Sequence, residues 1–240
     1  MKVFALPLFF LAAFIASSAD AREPSFVSPD QIQSFQILPS PPVATSATTK
    51  KELAELHHIE KHRTKEQAAQ AMADDNNETM FLYSNVLGDK FTPENLPVTA
   101  AFSVRVKNDE GINATPAKDG FHRVRPYNLD KTLHPICKTK TKDDSYPSGH
   151  TTAGYLLGLA LIDMIPEKRD AILERAKDFG NNRLICGVHY PSDLQASRVL
   201  AYSIHAVMDT NPQYQKEMAA AKLELRQALG LPVNVPVASN

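Results

Sequence analysis

Pro147-Ser148-Gly149-His150 stand at the head of the most apolar run that follows the N-terminal segment. A helix starting there presents unpaired N–H groups and the positive end of its dipole, both of which favour an anion. Gly149 lets the backbone approach a phosphate closely, and Ser148 either donates its hydroxyl to a phosphate oxygen or serves as an ordinary N-cap. His150, on the first turn, is disfavoured as a cation beside the positive helix end unless a bound anion offsets it. It reads best as a group that gives up a proton during turnover.

Two further segments supply what phosphoryl chemistry would need. Upstream lie Lys118 and Arg125-Pro126, and downstream lies Arg183. Arginine's planar fork suits two phosphate oxygens at once, whereas lysine acts as a point charge. Taken singly, each would be an ordinary solvated or ion-paired side chain; their coincidence with Ser148-Gly149-His150 gives them weight. His189 precedes Asp193 by four residues. Across a turn that carboxylate can hold one ring nitrogen, fix the tautomer and leave the other nitrogen free to attack phosphorus. The alternative is that Asp193 merely caps a helix starting near Pro191.

The elements that must position these residues are helical. Thr49-x-x-Glu52 has the form of a capping box and predicts a helix reaching about Asp74. His57, His58 and His62 lie on it, and His58 and His62 share a face, but no acidic partner pattern marks them as metal ligands. Shorter helices are expected around Thr79–Leu87 and Leu96–Asn113, the latter with an apolar stripe of Val98, Ala101, Phe102, Val104 and Val106. Thr115-Pro116 reads as the start of another short helix carrying Lys118. A polar loop from Tyr127 to Tyr146 precedes helices over Ser148–Ile165, Glu167–Ile185, Ser192–Met208 and Gln213–Leu229. No segment alternates as a strand does, so the expected fold is all-α, a single compact helical domain.

Lys2, the apolar run Val3–Ala16 and the small-x-small sequence ending at Ala21 have the form of an export signal. The domain reading is therefore 1–21 signal peptide, 22–45 Pro/Ser-rich arm, 46–230 helical domain and 231–240 tail, with a periplasmic or secreted product. Net charge is −1, which lacks the bulk basic field of a nucleic-acid or anionic-membrane binder. Any polyanion chemistry must come from a local cluster. Two cysteines, Cys137 and Cys186, are expected to pair in an oxidising compartment, stabilising by about 4 kcal/mol through loop closure. They make a poor metal site, and none is expected.

The ordered pattern Lys118-x6-Arg125-Pro126, Pro147-Ser148-Gly149-His150 and Arg183-x5-His189-x3-Asp193 resembles the phosphatidic acid phosphatase type 2 superfamily, which also contains vanadium haloperoxidases. More narrowly, Leu38–Pro42, Ser145–Thr151, Arg183–Gly187 and Asn211-Pro212 resemble class A bacterial non-specific acid phosphatases. The resemblance runs from about Phe35 to Leu229. It implies that His189 is the nucleophile, Asp193 its orienting partner and His150 the proton donor. Lys118, Arg125, Ser148, Gly149 and Arg183 would hold the phosphoryl oxygens.

The implied activity is metal-independent and cofactor-free hydrolysis of phosphate monoesters of broad range at acid pH, through a phosphohistidine. Small-molecule phosphate esters are the implied partners, with neither nucleic acid nor, after signal removal, membrane; self-association is compatible with the family. One departure is Asn182, where the family usually has serine. Two rivals share the pocket: a vanadate-dependent haloperoxidase and a non-catalytic phosphate-binding protein.

Overall fold

A computed structural model describes residues 23–233, so the expected export signal lies outside the described residues. The order of helices is α1 (Pro29–Ile32), α2 (Ser34–Ile37), α3 (Ala47–His62), α4 (Lys65–Asp74), α5 (Ser84–Leu87), α6 (Pro97–Phe121), α7 (Pro126–Leu129), α8 (Gly149–Met164), α9 (Arg169–Ile185), α10 (Pro191–Met208) and α11 (Pro212–Ala228). Short 3₁₀ turns at Met80–Tyr83 and Pro166–Lys168 complete them, and no strand occurs among the described residues. The all-α expectation holds. None of the described helices is long and apolar enough to cross a membrane.

Helix α8 is the axis of the fold. Every position from Thr151 to Leu161 is buried, so the helix is apolar all round and needs neighbours on all sides. It finds them in α6, α9, α10 and α11. Leu156, Leu157 and Leu161 are fully enclosed, each stabilising the fold by roughly 1.5–3 kcal/mol. Gly154 and Gly158 are the small residues that let the packing close. A Cβ on Gly154 would sit 2.7 Å from the Phe179 ring, and one on Gly158 would collide with the Tyr83 hydroxyl, which donates to the Gly154 carbonyl at 2.7 Å. At the far end, buried Arg226 donates to the Met164 carbonyl and to Glu167, supplying a cation where a helix C-terminus wants one.

Two stretches fold differently from expectation. The predicted helix over Thr49–Asp74 is two helices, because Thr64 forms a capping box with Gln67 and starts α4 afresh. The first of them begins at Ala47 with Ser46 as its cap, accepting from the Thr49 N–H. Glu52, instead of closing a capping box, is buried against other elements. The predicted helices over Leu96–Asn113 and from Pro116 are one helix, α6, with Pro116 inside it.

The apolar stripe assigned to α6 is also displaced. Val98 and Val104 are exposed, while Thr99, Ser103, Asp109, Glu110 and Asn113 are buried with Phe102 and Val106. The inward face is largely polar because it has backbone to satisfy. Asp109 accepts from the N–H groups of Ser25, Phe26 and Val27, and Asn113 donates to the Val27 carbonyl. These bonds lay the N-terminal arm along α6, and Phe26 packs against Phe102 and Tyr214.

Candidate active site

Helix α8 starts at a cap, and the cap sets the site's geometry. Ser148 Oγ accepts from the Thr151 N–H at 3.3 Å and lies 3.0 Å from Thr151 Oγ1. Ser197 on α10 bridges this cap to the next helix start, its Oγ 3.0 Å from the Ser148 carbonyl and 2.7 Å from that of Asp193. The N-terminal ends of α8 and α10 thus meet. At the start of α8 opens a cavity of about 370 Å³ whose lining includes Lys118, Arg125, Gly149, His150, Arg183 and His189. Of the proposed phosphate ligands Ser148 alone is absent from the lining; it is fully buried in its capping role.

His189 reaches the cavity from the turn between α9 and α10. Gly187 makes that turn at φ +73°, a conformation that glycine adopts without strain. The Cys137–Cys186 disulfide, with a Cα separation of 5.2 Å, ties the same turn to the loop before α8, and the Ile136 N–H bonds the Cys186 carbonyl. The expected pairing is present. Nδ1 of His189 lies 3.1 Å from Asp193 Oδ2, and Nε2 lies 3.2 Å from Arg125 Nη1.

A guanidinium can only donate, so Nε2 must carry the lone pair and Nδ1 the proton. Burial and then the charges of Arg125, Arg183 and Lys118 press the ring's pKa well below its ordinary value. The neutral ring is thereby favoured, with its Nε2 electron pair accepting from Arg125 in the wall of the cavity.

Asp193 plays both parts that its sequence position allowed. On the first turn of α10 its Oδ2 accepts the Tyr190 N–H at 2.9 Å, a capping bond, and the same oxygen faces His189 and takes the Ser145 hydroxyl at 2.6 Å. Its Oδ1 takes Arg123 Nη1 at 2.6 Å. The carboxylate has no exposure, and burial raises its pKa against the opposing pull of Arg123 and of these hydrogen bonds.

His150 stands on the other side, with Nδ1 3.0 Å from Glu78 and Nε2 3.3 Å from the Asp75 carbonyl. Its ring stacks on Phe179. Acceptors at both nitrogens favour the charged ring, but burial and Arg183 outweigh them and bring its pKa down to about 4.

The cations come from three elements. Lys118, in the last turn of α6, donates to the carbonyls of Asp144 and Pro147 at 2.9 and 2.5 Å; burial, then Arg125, lowers its pKa to about 8. His122 ends α6 in a left-handed turn and brings Arg125 round to Asp144, where Nε donates at 2.7 Å. Arg183 near the end of α9 pairs with Asp75 at 2.6 Å, while its buried Nε finds no hydrogen-bond partner among the described residues. Burial works to raise the Asp75 carboxyl, but the Lys138 N–H and Arg183 prevail and hold it below its ordinary value. Asn182 faces away: its amide donates to Asp74 at 2.7 Å, beside the bidentate Arg175–Asp74 pair.

Residues 98–217 match the PAP2 superfamily. The chain belongs to that superfamily. It is 31% identical over 240 residues to the non-specific acid phosphatase of Providencia stuartii, covering 91% of this chain and 96% of that one. It is 36% identical over 150 residues to the non-specific acid phosphatase of Salmonella typhimurium, an alignment spanning 60% of this chain and 59% of the relative. A bacterial vanadium-dependent iodoperoxidase superposes with a TM-score of 0.56 at 15% identity, over 79% of this chain and 59% of that one, a likeness of fold. The PAP2 match contains Lys118, Arg125, His150, Arg183, His189 and Asp193, whereas the acidic partners Asp75 and Glu78 precede it. The sequence alone assigns no role to Asp75, Glu78 or Arg123, and marks Glu52 only as a capping-box residue.

Proposed function

We propose that this protein hydrolyses phosphate monoesters by two in-line displacements through a phosphohistidine on His189, without a metal ion. One observation carries the reading most directly. His189 lines one cavity with Lys118, Arg125 and Arg183, its Nδ1 held by Asp193 and its Nε2 in contact with Arg125. The superfamily membership and the relatives named acid phosphatases agree with it.

In the first step Nε2 attacks phosphorus, the P–O bond to the leaving group breaks, and His150 gives that oxygen its proton. In the second, water attacks phosphorus, His150 takes the water's proton, and the P–N bond breaks to restore His189. Arg125, Arg183, Lys118 and the Gly149 N–H stabilise the equatorial oxygens, whose charge is spread in the transition state. Arg125 already touches Nε2, so an incoming phosphoryl oxygen would meet its N–H where the nucleophile waits.

Acid operation follows from the two rings. A histidine of ordinary pKa would be protonated in acid and unable to attack; His189 escapes this because burial and three cations disfavour its charged form. His150 needs its proton, and a bound phosphate anion would return it by offsetting Arg183 and the helix dipole. The site is proposed to act in the periplasm or outside the cell, after removal of 1–21, within a domain spanning 46–230.

A panel of phosphate monoesters assayed across pH, with EDTA and vanadate added separately, tests the reading. Hydrolysis that is strongest in acid, inhibited by vanadate and untouched by EDTA is expected. Loss of activity in EDTA restored by a divalent metal would refute metal independence, and vanadate-dependent halide oxidation exceeding hydrolysis would replace the reading with a peroxidase.

A further inference from the structure

We infer that Arg123 and Glu52 form a positioning relay behind the nucleophile, in which Arg123 opposes protonation of the buried Asp193 and so supports the attacking form of His189 in acid. The inference rests on His189 being the nucleophile, as proposed above. Asp193 is wholly buried, and the cation in contact with it is Arg123, not one of the cavity cations. Arg123 Nη1 reaches Asp193 Oδ1 at 2.6 Å and Ser192 Oγ at 2.7 Å, while Nη2 reaches Glu52 Oε2 at 2.8 Å.

The guanidinium lies over the Tyr190 ring, 4.0 Å from its centroid. Glu52 Oε1 in turn accepts the Ser192 N–H at 2.7 Å, one of the free donors of the first turn of α10. Helix α3, outside the PAP2 match, is thereby bonded to the turn that holds the nucleophile's partner. The charges alternate inward from Glu52 to Arg123 to Asp193 to the His189 Nδ1–H.

The geometry explains why an arginine is needed. One planar fork spans two carboxylates on different helices and a hydroxyl, which an ammonium on a flexible stem cannot hold in one arrangement. The charged or titratable groups acting on Asp193 are His189 and Tyr190 from the turn before α10, Arg123 after α6, Lys118 at the end of α6, Glu52 from α3 and Tyr146 from the loop before α8. Arg123 is the one cation among them within hydrogen-bond distance of the carboxylate. Without it, burial would draw a proton onto Asp193 in the pH range where the enzyme is proposed to work. A protonated Asp193 is a weaker acceptor for the His189 Nδ1–H, so the tautomer is left to the Arg125 contact alone and the ring loses the negative charge that supports it as it attacks phosphorus.

The test is the pH profile of kcat for Arg123→Gln, which keeps N–H donors but removes the charge, beside Arg123→Lys, Glu52→Gln and His189→Ala. In Arg123→Gln the acid limb is expected to move up by about one unit or more, with activity recovering toward neutral pH. Arg123→Lys should keep the acid limb in place while kcat falls roughly ten- to a hundredfold from misplacement. Glu52→Gln should lower kcat without moving the limb, because the Arg123 charge remains.

An Arg123→Gln profile that superposes on the wild type after scaling would overturn the relay. So would wild-type kcat in Arg123→Lys, which decides the matter if the glutamine variant does not fold. Full activity in His189→Ala would instead remove the nucleophile assignment beneath it. Loss there with an unshifted Arg123→Gln profile removes the relay alone.

Discussion

Anion binding to the site should take up a proton, and the size of the effect follows from His150. Its pKa is brought down to about 4 by burial and Arg183. A dianion seated at the α8 N-terminus offsets those charges and should restore at least the ordinary value of about 6.5. Because the bound state has the higher pKa, the protonated enzyme binds more tightly. Affinity is greatest below the free-state value and falls as pH rises toward the bound-state value.

With those two values, sulfate should bind about 20-fold more tightly at pH 5 than at pH 7, and near pH 5.5 binding should absorb about 0.9 proton. Sulfate is the ligand of choice because it stays fully ionised over this range. Calorimetry in buffers of different ionisation enthalpy reads the proton uptake directly. His150→Gln should lose close to one proton of that uptake, leaving whatever His189 contributes. Sulfate affinity independent of pH, or an uptake unchanged in His150→Gln, would refute the assignment of His150 as the group whose proton is governed by the bound anion.

Two further outcomes concern the surroundings of the site. Asn182→Ser should leave KM for p-nitrophenyl phosphate within about twofold while costing about 1–3 kcal/mol in urea unfolding, since the amide it removes serves buried Asp74 and not the cavity. A changed KM with unchanged stability would contradict this. Replacing Cys137 and Cys186 together by serine opens a loop with a sequence separation of 49 and should cost about 4 kcal/mol on the chain-entropy account. An unchanged urea midpoint would show that the loop before α8 is held by its other bonds.

What could be read from the chain was what is local. Helix α8 announced itself through an unbroken apolar run and a serine cap, and α10 and α11 through prolines at their first positions. His189 and Asp193 needed only a turn between them. Helix α6 was misread because its buried face carries Asp109, Glu110 and Asn113; Asp109 and Asn113 bond the backbone of the arm more than eighty positions away, and Glu110 takes the Lys107 ammonium. Pro116 removes one hydrogen bond of that helix, yet the helix continues, anchored upstream by Asp109 and Asn113 and downstream by Lys118. The acidic partners were hidden for a similar reason. Glu52, Asp75 and Glu78 acquire meaning only when α3 and the segment after α4 fold back onto Arg123, Arg183 and His150, and no spacing encodes that.

The central claim is a phosphoryl group carried by one named nitrogen. Rapid acid-free quenching during turnover of p-nitrophenyl phosphate, followed by alkaline digestion and mass spectrometry, should find a phosphoryl adduct on the peptide containing His189, absent in His189→Ala. A phosphoryl group on any other residue, or wild-type turnover in His189→Ala, would contradict the account.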